Sequence, residues 1–381
     1  MNGITPFVTG KPLPSGGMSA SVQERPLEPN LFFQPAMLDV ALEHLAPEGV
    51  VPVHGVPIHV ARGRYGPLPT PTPLMVWHHP YSMVGLPLIT EANPPADLER
   101  LAAAITGTFR GRSVLLMPRL RTDGPFWPIF RSWLEKTGRR YAVLEEYDRA
   151  GHRFDADDPT RLDELRSKKS ASAIRSKRRK LEKLGVLLHT TATHGNGLRQ
   201  AIDEFLDVEA SGWKGSAGTA MKTAGHASFI HNMVKRLSEA KRVRVDIKKL
   251  DDRPIAGTVF LRDGSDNQPI WMSWKIAYEE RYAAQTPGNL VLYEVTEQLM
   301  AGARQRGTSI AFDSLTAPDS VVFNRLWPKQ RWHLADVLVD LQPGGSTAFG
   351  PILMAERARL KAGAAARSAR DMVRAALRKR R

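Results

Sequence analysis

The sequence predicts a mixed α/β protein in which one order of elements occurs twice. Three observations predict it. Segments with apolar residues at helical spacing alternate with short apolar or alternating runs. The order helices, three strands, helix, strand, helix, strand fits residues 28–150 and again residues 186–345. In each half a compact set of strands precedes a crossover through helices, the pattern of an antiparallel set continued by parallel pairing.

The elements follow in order. Pro35–Leu45 reads as a helix. Short strands are expected near Val50–His54, Pro57–Arg62 and Pro73–Trp77. A helix over Ala96–Thr108 is entered through Asn93-Pro94-Pro95, and Ser113–Pro118 is a continuous apolar strand. A helix bearing Trp127, Phe130 and Trp133 and a strand at Tyr141–Glu146 complete the first half. The second half has the sharper signals. Leu198, Ile202, Phe205 and Leu206 share one helical face, as do Ile230, Met233, Val234 and Leu237. Val243, Val245 and Ile247 alternate strictly, Asp251–Pro254 is a turn, and Ile255–Leu261 returns as a hairpin partner. Ile270–Ile276 is a third strand, and Asn289–Arg306 a long helix stopped by Gly307. Strands at Ser309–Ser314 and Ala335–Leu341 flank a short helix at Asp319–Trp327. Asp158-Pro159 opens and Gly185 closes a basic helix that bridges the halves over 158–185.

Composition bounds the function. A chain of 381 residues accommodates two domains. It contains no cysteine, which excludes disulfides, thiolate zinc sites and a cysteine nucleophile. Residues 1–27 are rich in Gly, Pro and Ser, lack a signal-peptide core and are expected to be disordered. No stretch approaches the ~18 apolar residues of a membrane span, so a cytoplasmic location is expected. The net charge is +15, of which Arg161–Leu184 carries +7 and the basic C-terminal tail, Pro351–Arg381, carries +8. The rest of the chain is neutral in total, unlike a globule with a nucleic-acid-binding face. A weak stripe of Leu360, Met372, Val373 and Leu377 makes the tail a surface helix or a solvated extension.

Several phrases in the second half are characteristic in combination: Ser167-Lys168-Lys169 with the Arg/Lys helix after it, Gly212-Trp213-Lys214-Gly215, Pro254-Ile255-Ala256-Gly257, Thr286-Pro287-Gly288-Asn289-Leu290, and Phe312-Asp313 followed by Lys329 and Trp332. With these the chain resembles the GNAT superfamily, in particular the acetyltransferases associated with bacterial polysaccharide and cellulose biosynthesis, which are related to the tandem Fem-type aminoacyltransferases. The resemblance covers Asp158–Gln342 well and Pro29–Tyr147 more weakly. Asp313-Ser314-Leu315 differs from the Asp-Phe-Gly-like phrase of that group. The resemblance implies tandem GNAT-like domains, a degenerate one at 28–150 and a catalytic one at 186–345. It also implies acyl-CoA, typically acetyl-CoA, as donor.

Particular residues then take expected roles. Pro287, Gly288, Asn289 and Leu290 open a long helix, whose unpaired amides and positive dipole end suit a diphosphate; this is how a GNAT fold holds coenzyme A. A capped helix with no ligand would look the same. Trp213 and Lys214 sit in a glycine-bracketed loop suited to a cleft wall, the ring stacking on a substrate and the ammonium meeting an anion. Asp313 ends a buried strand, where it would orient an acceptor or take its proton, or merely form a turn. Tyr278 ends the preceding strand and is a candidate acid or base. Lys329 would bind donor phosphates or pair with Asp313.

No metal site is expected: His78-His79 point to opposite strand faces, and His226 and His231 are five residues apart. Neither a Gly-x-Ser-x-Gly elbow nor a P-loop is present. The expected activity is direct transfer of an acyl group from acyl-CoA to an amine or hydroxyl of a small-molecule or sugar-linked acceptor. The rivals are a Fem-type transferase using aminoacyl-tRNA, favoured by the basic helix, and a non-catalytic scaffold in polysaccharide synthesis.

Overall fold

A computed structural model of the chain describes residues 25–379 except 61–63, 66, 67, 70, 71, 166, 213, 214 and 216. The expected disordered segment lies outside the described residues up to residue 24. Its last residues are not free: Pro26 bridges Thr90, and the Leu27 amide donates to the Ile89 carbonyl.

The first half contains α1 (Pro35–Leu45), β1 (Val51–Val53), β2 (Val56–Val60), a small hairpin β3–β4 (Arg64–Tyr65, Leu68–Pro69), β5 (Leu74–Val76), α2 (Pro94–Thr108), β6 (Val114–Arg121), α3 (Phe126–Lys136) and β7 (Tyr141–Phe154). Two helices, α4 (Leu162–Leu165) and α5 (Lys168–Glu182), replace the single helix expected from residue 158. The start shifts because the Ser167 side chain accepts from the Ser170 amide and sets the N-cap there. The second half runs β8 (Leu187–Ala192), α6 (Gly195–Ser211), α7 (Ala227–Glu239), β9 (Val243–Leu250), β10 (Arg253–Gly264), β11 (Pro269–Tyr278), α8 (Pro287–Gln305), β12 (Ile310–Asp313), α9 (Val321–Leu326) and β13 (Gln330–Asp340). The basic tail belongs to α10 (Phe349–Lys379), whose Phe349 and Ile352 pack on Val114, Leu116 and Leu338.

An eleven-stranded mixed sheet carries these elements in the order β1-β2-β5-β6-β13-β7-β12-β11-β10-β9-β8. Each half has an antiparallel set that ends in one parallel pair, β5 with β6 and β11 with β12. The last strand of each half then crosses to the other: β7 pairs with β12, β13 pairs with β6, and β7 and β13 lie side by side. The fold is thus one mixed sheet built from two halves of like strand order, joined by exchanged strands. β7 reaches Phe154 rather than Glu146 because its second part supplies the partner that β12 needs.

Two apolar layers flank the second half of the sheet. On one face α6, α7 and α1 pack over Met272, Trp274 and Ala277. On the other, α5, α8 and α9 enclose Phe260, Phe312 and Trp327. Helix α8 is buried along most of its length by Leu290, Val291, Leu292, Val295, Leu299, Met300 and Ala303, so it is a central element rather than a surface one.

Candidate active site

The parallel pairing of β11 and β12 is brief. It runs from Ile270 opposite Ala311 to Met272 opposite Asp313 and then stops, while β11 continues to Tyr278. The pairing stops because β12 itself ends at Asp313; just beyond, in the register with β10, Val259 faces Lys275 and Phe260 faces Ser273, which leaves Trp274 as an extra residue in a bulge. A bulge bends its strand and strengthens its twist. Beyond Met272 β11 runs on without a β12 partner, and at this fork the Ser273 hydroxyl is buried with no hydrogen-bond partner among the described residues.

The N-terminus of α8 stands beside this fork. Thr286 takes a left-handed conformation with φ of 49°, which turns the chain sharply into the helix at Pro287. The amides of Asn289 and Leu290 both donate to the Thr286 carbonyl, at 3.0 and 3.2 Å. Pro287 has no amide proton. In this first turn only the Gly288 amide is left with no acceptor among the described residues. The absent side chain of Gly288 faces Ile276 and Tyr278, which a Cβ would meet at 3.1 and 3.3 Å. Here the glycine permits close packing of helix on strand.

Beside Asn289 lies a groove of about 160 Å³ between three helices. Ser170, Ile174 and Lys177 come from α5, Asn289 and Leu292 from α8, and Val322 and Arg325 from α9. Lys177 is half-buried and donates to the Ala284 carbonyl in the turn before α8. The basic helix thus forms one wall of the groove at a helix N-terminus, where two cations and a dipole end favour an anion.

The equivalent position in the first half is filled. Helix α2 begins with Pro94-Pro95, which removes two amides, and the Asp97 carboxylate accepts from the Thr90 amide and hydroxyl, at 2.8 and 2.6 Å. A carboxylate is thus already engaged at the start of this helix.

On the opposite face of the fork, the first half reaches over β11. The Tyr81 hydroxyl lies 2.6 Å from His226 Nδ1, its ring stacks on Phe229, and its carbonyl accepts from Trp274 Nε1 at 3.0 Å. The Lys275 ammonium sits 4.7 Å from the Tyr81 ring centroid. Burial, with Glu209 adding repulsion, pushes the Tyr81 phenol up to about 12, so it remains a neutral hydroxyl at physiological pH. Sequence reasoning weighed His226 only as a metal ligand and did not place Tyr81 at the fork; no local spacing connects residues 145 apart.

The remaining expected residues fall in different places. Asp313 is buried and tied: Arg149 Nη2 donates to it at 2.6 Å, and the Leu315 amide at 2.9 Å. Arg149 in turn donates to the Met83 carbonyl, so the pair links β7, β12 and the segment before α2. Its partner is Arg149 and not Lys329. Lys329 is exposed and lines no part of the groove. It lies near His152, whose pKa falls to about 4 through burial, with Lys329 contributing against the opposing pull of Asp158. Tyr278 is 43% exposed at the end of β11 and packs beside Gly288. Trp213 and Lys214 lie outside the described residues; the adjoining Gly212 has room for a Cβ 3.5 Å from Glu280, just before α8. Pro287, Gly288, Asn289 and Leu290 are brought to the fork together. Among the described residues no cluster of His, Asp and Glu is arranged to hold a metal ion, and no helix is long and apolar enough to cross a membrane.

Compared with known proteins, residues 168–318 match the family model described as an acetyltransferase (GNAT) domain. No curated protein matches the chain. Among solved structures, a conserved protein of unknown function from Bacteroides thetaiotaomicron VPI-5482 is 11% identical, with 84% of this chain and 93% of that one covered and a TM-score of 0.49. L-PGS from Bacillus licheniformis is 12% identical over 88% of this chain and 98% of that one, with a TM-score of 0.41. A tandem GNAT protein from the clavulanic acid biosynthesis pathway is 11% identical over 82% and 89%, with a TM-score of 0.40.

Proposed function

Starting from an acetyltransferase (GNAT) domain at residues 168–318, we propose that this acyltransferase takes its acyl group from acyl-CoA and passes it directly to an amine or hydroxyl of a small-molecule or sugar-linked acceptor. The observation that carries this reading is the groove at the α8 N-terminus, bordered by Thr286 and Asn289 and walled by Lys177 and Arg325. Phosphates of the donor would meet Lys177, Arg325, Asn289 and the Gly288 amide. The thioester arm would then enter the fork, where unpaired strand edges polarise its carbonyl.

Acceptor attack would come from the Tyr81–His226 side, with no covalent enzyme intermediate. His226 is the candidate to take the acceptor's proton. Tyr81 touches its Nδ1 and orients the ring, and the tautomer decides which nitrogen carries the lone pair. Asp313, locked by Arg149, would hold the strand ends in place rather than touch the substrate. The first half would shape the acceptor side and hold no donor, since Asp97 fills the position where phosphate would lie.

The exposed outer face of α5, with Arg175, Arg178, Arg179 and Lys180, favours a second reading in which the donor is a larger polyanion, an aminoacyl-tRNA. Titrating acetyl-CoA, longer acyl-CoAs and tRNA in turn while following the melting temperature separates the two. Stabilisation by a thioester supports acyl-CoA as donor. A response to tRNA alone replaces it with the second reading, and a response to none of them sinks both.

A further inference from the structure

The eleven-stranded sheet ends in β1 on one side and β8 on the other, and the two edges differ. β1 is three residues long, its central residue is Pro52, and α2 packs against it. Short length, a proline without an amide and a covering helix all keep an edge from pairing with another chain. β8 has no such protection: Leu187–Ala192 contains no proline and no Lys, Arg, Asp or Glu. Large apolar side chains stand exposed where it begins, Leu184 at 53%, Val186 at 64% and Leu188 at 40%. The register with β9 decides which backbone groups face outward. Leu188 lies opposite Lys249 and Thr190 opposite Ile247. In the same register the Asp251 amide donates to the Val186 carbonyl at 3.0 Å, which makes Val186 and Asp251 a hydrogen-bonded pair. Such pairs alternate along an antiparallel ladder. Leu188, Thr190 and Ala192 therefore turn their backbone groups to β9. Leu187, His189 and Thr191 turn theirs away from the sheet, where they meet no partner among the described residues.

We propose that β8 pairs antiparallel with β8 of a second copy of this chain, about a twofold axis at His189, so that the sheet continues from one copy into the other. This register joins all three outward residues: His189 with His189 of the other copy, and Leu187 with Thr191 in both directions. An axis at Leu188 or Thr190 would carry one of the three past the end of the strand. Side chains agree with it. Leu188 comes to lie against Thr190 of the other copy and Val186 against Ala192, so exposed apolar groups are covered by uncharged ones. The His189 rings are turned back within their own copy to Asp246 and Glu294, at 2.9 and 2.8 Å. Charge selects a second copy as the occupant. A chain of net charge +15 repels its own kind over much of its surface, whereas β8 sets no Lys or Arg against itself across the axis. A charged partner would find no counter-charge on this strand, while an identical strand matches it in length and in the spacing of its outward backbone groups.

The proposal does not rest on the acyl-transfer reading, and its test uses no donor. Sedimentation velocity of the full chain over a dilution series should show a dimer that dissociates to monomer. Leu188 and Thr190 are both exposed, so substitutions there spare the core. Leu188→Lys with Thr190→Lys sets like charges opposite each other twice and should weaken association by about tenfold or more at an unaltered melting temperature. Leu188→Glu with Thr190→Lys sets opposite charges there and should associate about tenfold more tightly than the double lysine variant. Because the chain has no cysteine, disulfide trapping reads the register directly. Leu188→Cys mixed with Thr190→Cys brings the two Cα atoms to about 4.5 Å, within disulfide reach, whereas either variant alone leaves them about 7–8 Å apart. The mixture should therefore cross-link faster than either variant by itself. A monomer at every concentration, a dimer that the two lysines leave intact, or cross-linking no faster in the mixture overturns the proposal.

Discussion

Removing the two cations of the donor groove gives the most direct test of where the phosphates go. In Lys177→Gln the charge is lost while a donor remains for the Ala284 carbonyl, and Arg325→Gln does the same on the facing helix. Two unit charges about 4 Å apart interact by ~1 kcal/mol in water and ~4 kcal/mol at the effective dielectric of a protein surface. Lys177 is half-buried and Arg325 exposed, so the lower end applies. Each substitution should therefore weaken acetyl-CoA by about fivefold, and the pair by about twenty-fivefold if they act independently. Calorimetric titration at low ionic strength measures it. The loss should shrink as salt shortens the Debye length from ~30 Å at 0.01 M to ~8 Å at 0.15 M. S-acetylpantetheine, which has the thioester but no diphosphate, serves as the control and should bind all variants alike. Unchanged acetyl-CoA affinity in the double variant, or an equal loss for S-acetylpantetheine, would refute a phosphate site in this groove.

Three further outcomes follow from the same geometry. His226→Ala should lower kcat by about 10²–10⁴-fold while leaving acetyl-CoA affinity intact, with Tyr81→Phe intermediate; thiol release in an acceptor screen reads it, free of background because the protein has no cysteine. Arg149→Met leaves Asp313 charged and buried without its partner and should cost about 3–5 kcal/mol, measured by chemical denaturation. The third concerns His189, which bridges Asp246 and Glu294 at 2.9 and 2.8 Å beneath α8. Burial lowers its pKa, but these hydrogen bonds outweigh it and hold the imidazole above its ordinary 6.5. The stability it supplies is complete below that value and is lost as pH rises through the raised pKa, so the gap between wild type and His189→Gln should narrow as the pH is raised above about 6.5. Asp246 and Glu294 are depressed despite burial, so their contribution disappears on the acid side instead, and Glu294→Gln should matter least there.

The sequence made most elements visible and hid their assembly. Val243, Val245 and Ile247 become β9, and the apolar run after Asn289 becomes α8, because local periodicity is set by the same burial that fixes each element. β8 was one exception: Leu187–Ala192 is an edge strand with no fully buried residue and too little apolar content to stand out. Nothing local signals that β7 and β13 exchange halves, since long-range pairing leaves no periodicity. The same limit applies to the site. Thr286–Leu290 was legible because a turn, a proline and a helix start are adjacent in sequence. Arg149 opposite Asp313, Tyr81 against His226 and the pairing of Glu28 with Arg121 depend on segments more than 90 residues apart.

The strand exchange explains why such distant residues can share one site. In a simple pair of domains joined by a linker, the halves would be free to move, and the Tyr81 hydroxyl could not be held against His226 at the start of α7. Here β7 gives β12 its antiparallel partner and β13 does the same for β6, so each half completes the sheet of the other. Separating them would strip a strand from both sheets and expose the apolar faces of Val337, Leu338 and Val339. The rigidity falls where the chemistry needs it, because Asp313 at the end of β12 is clamped by Arg149 on β7, and Arg149 holds Met83, two residues from Tyr81. The first half thereby becomes a fixed wall beside β11 in the second. The first half also holds Tyr81 and Met83 against the second, contacts that two independent domains would not make.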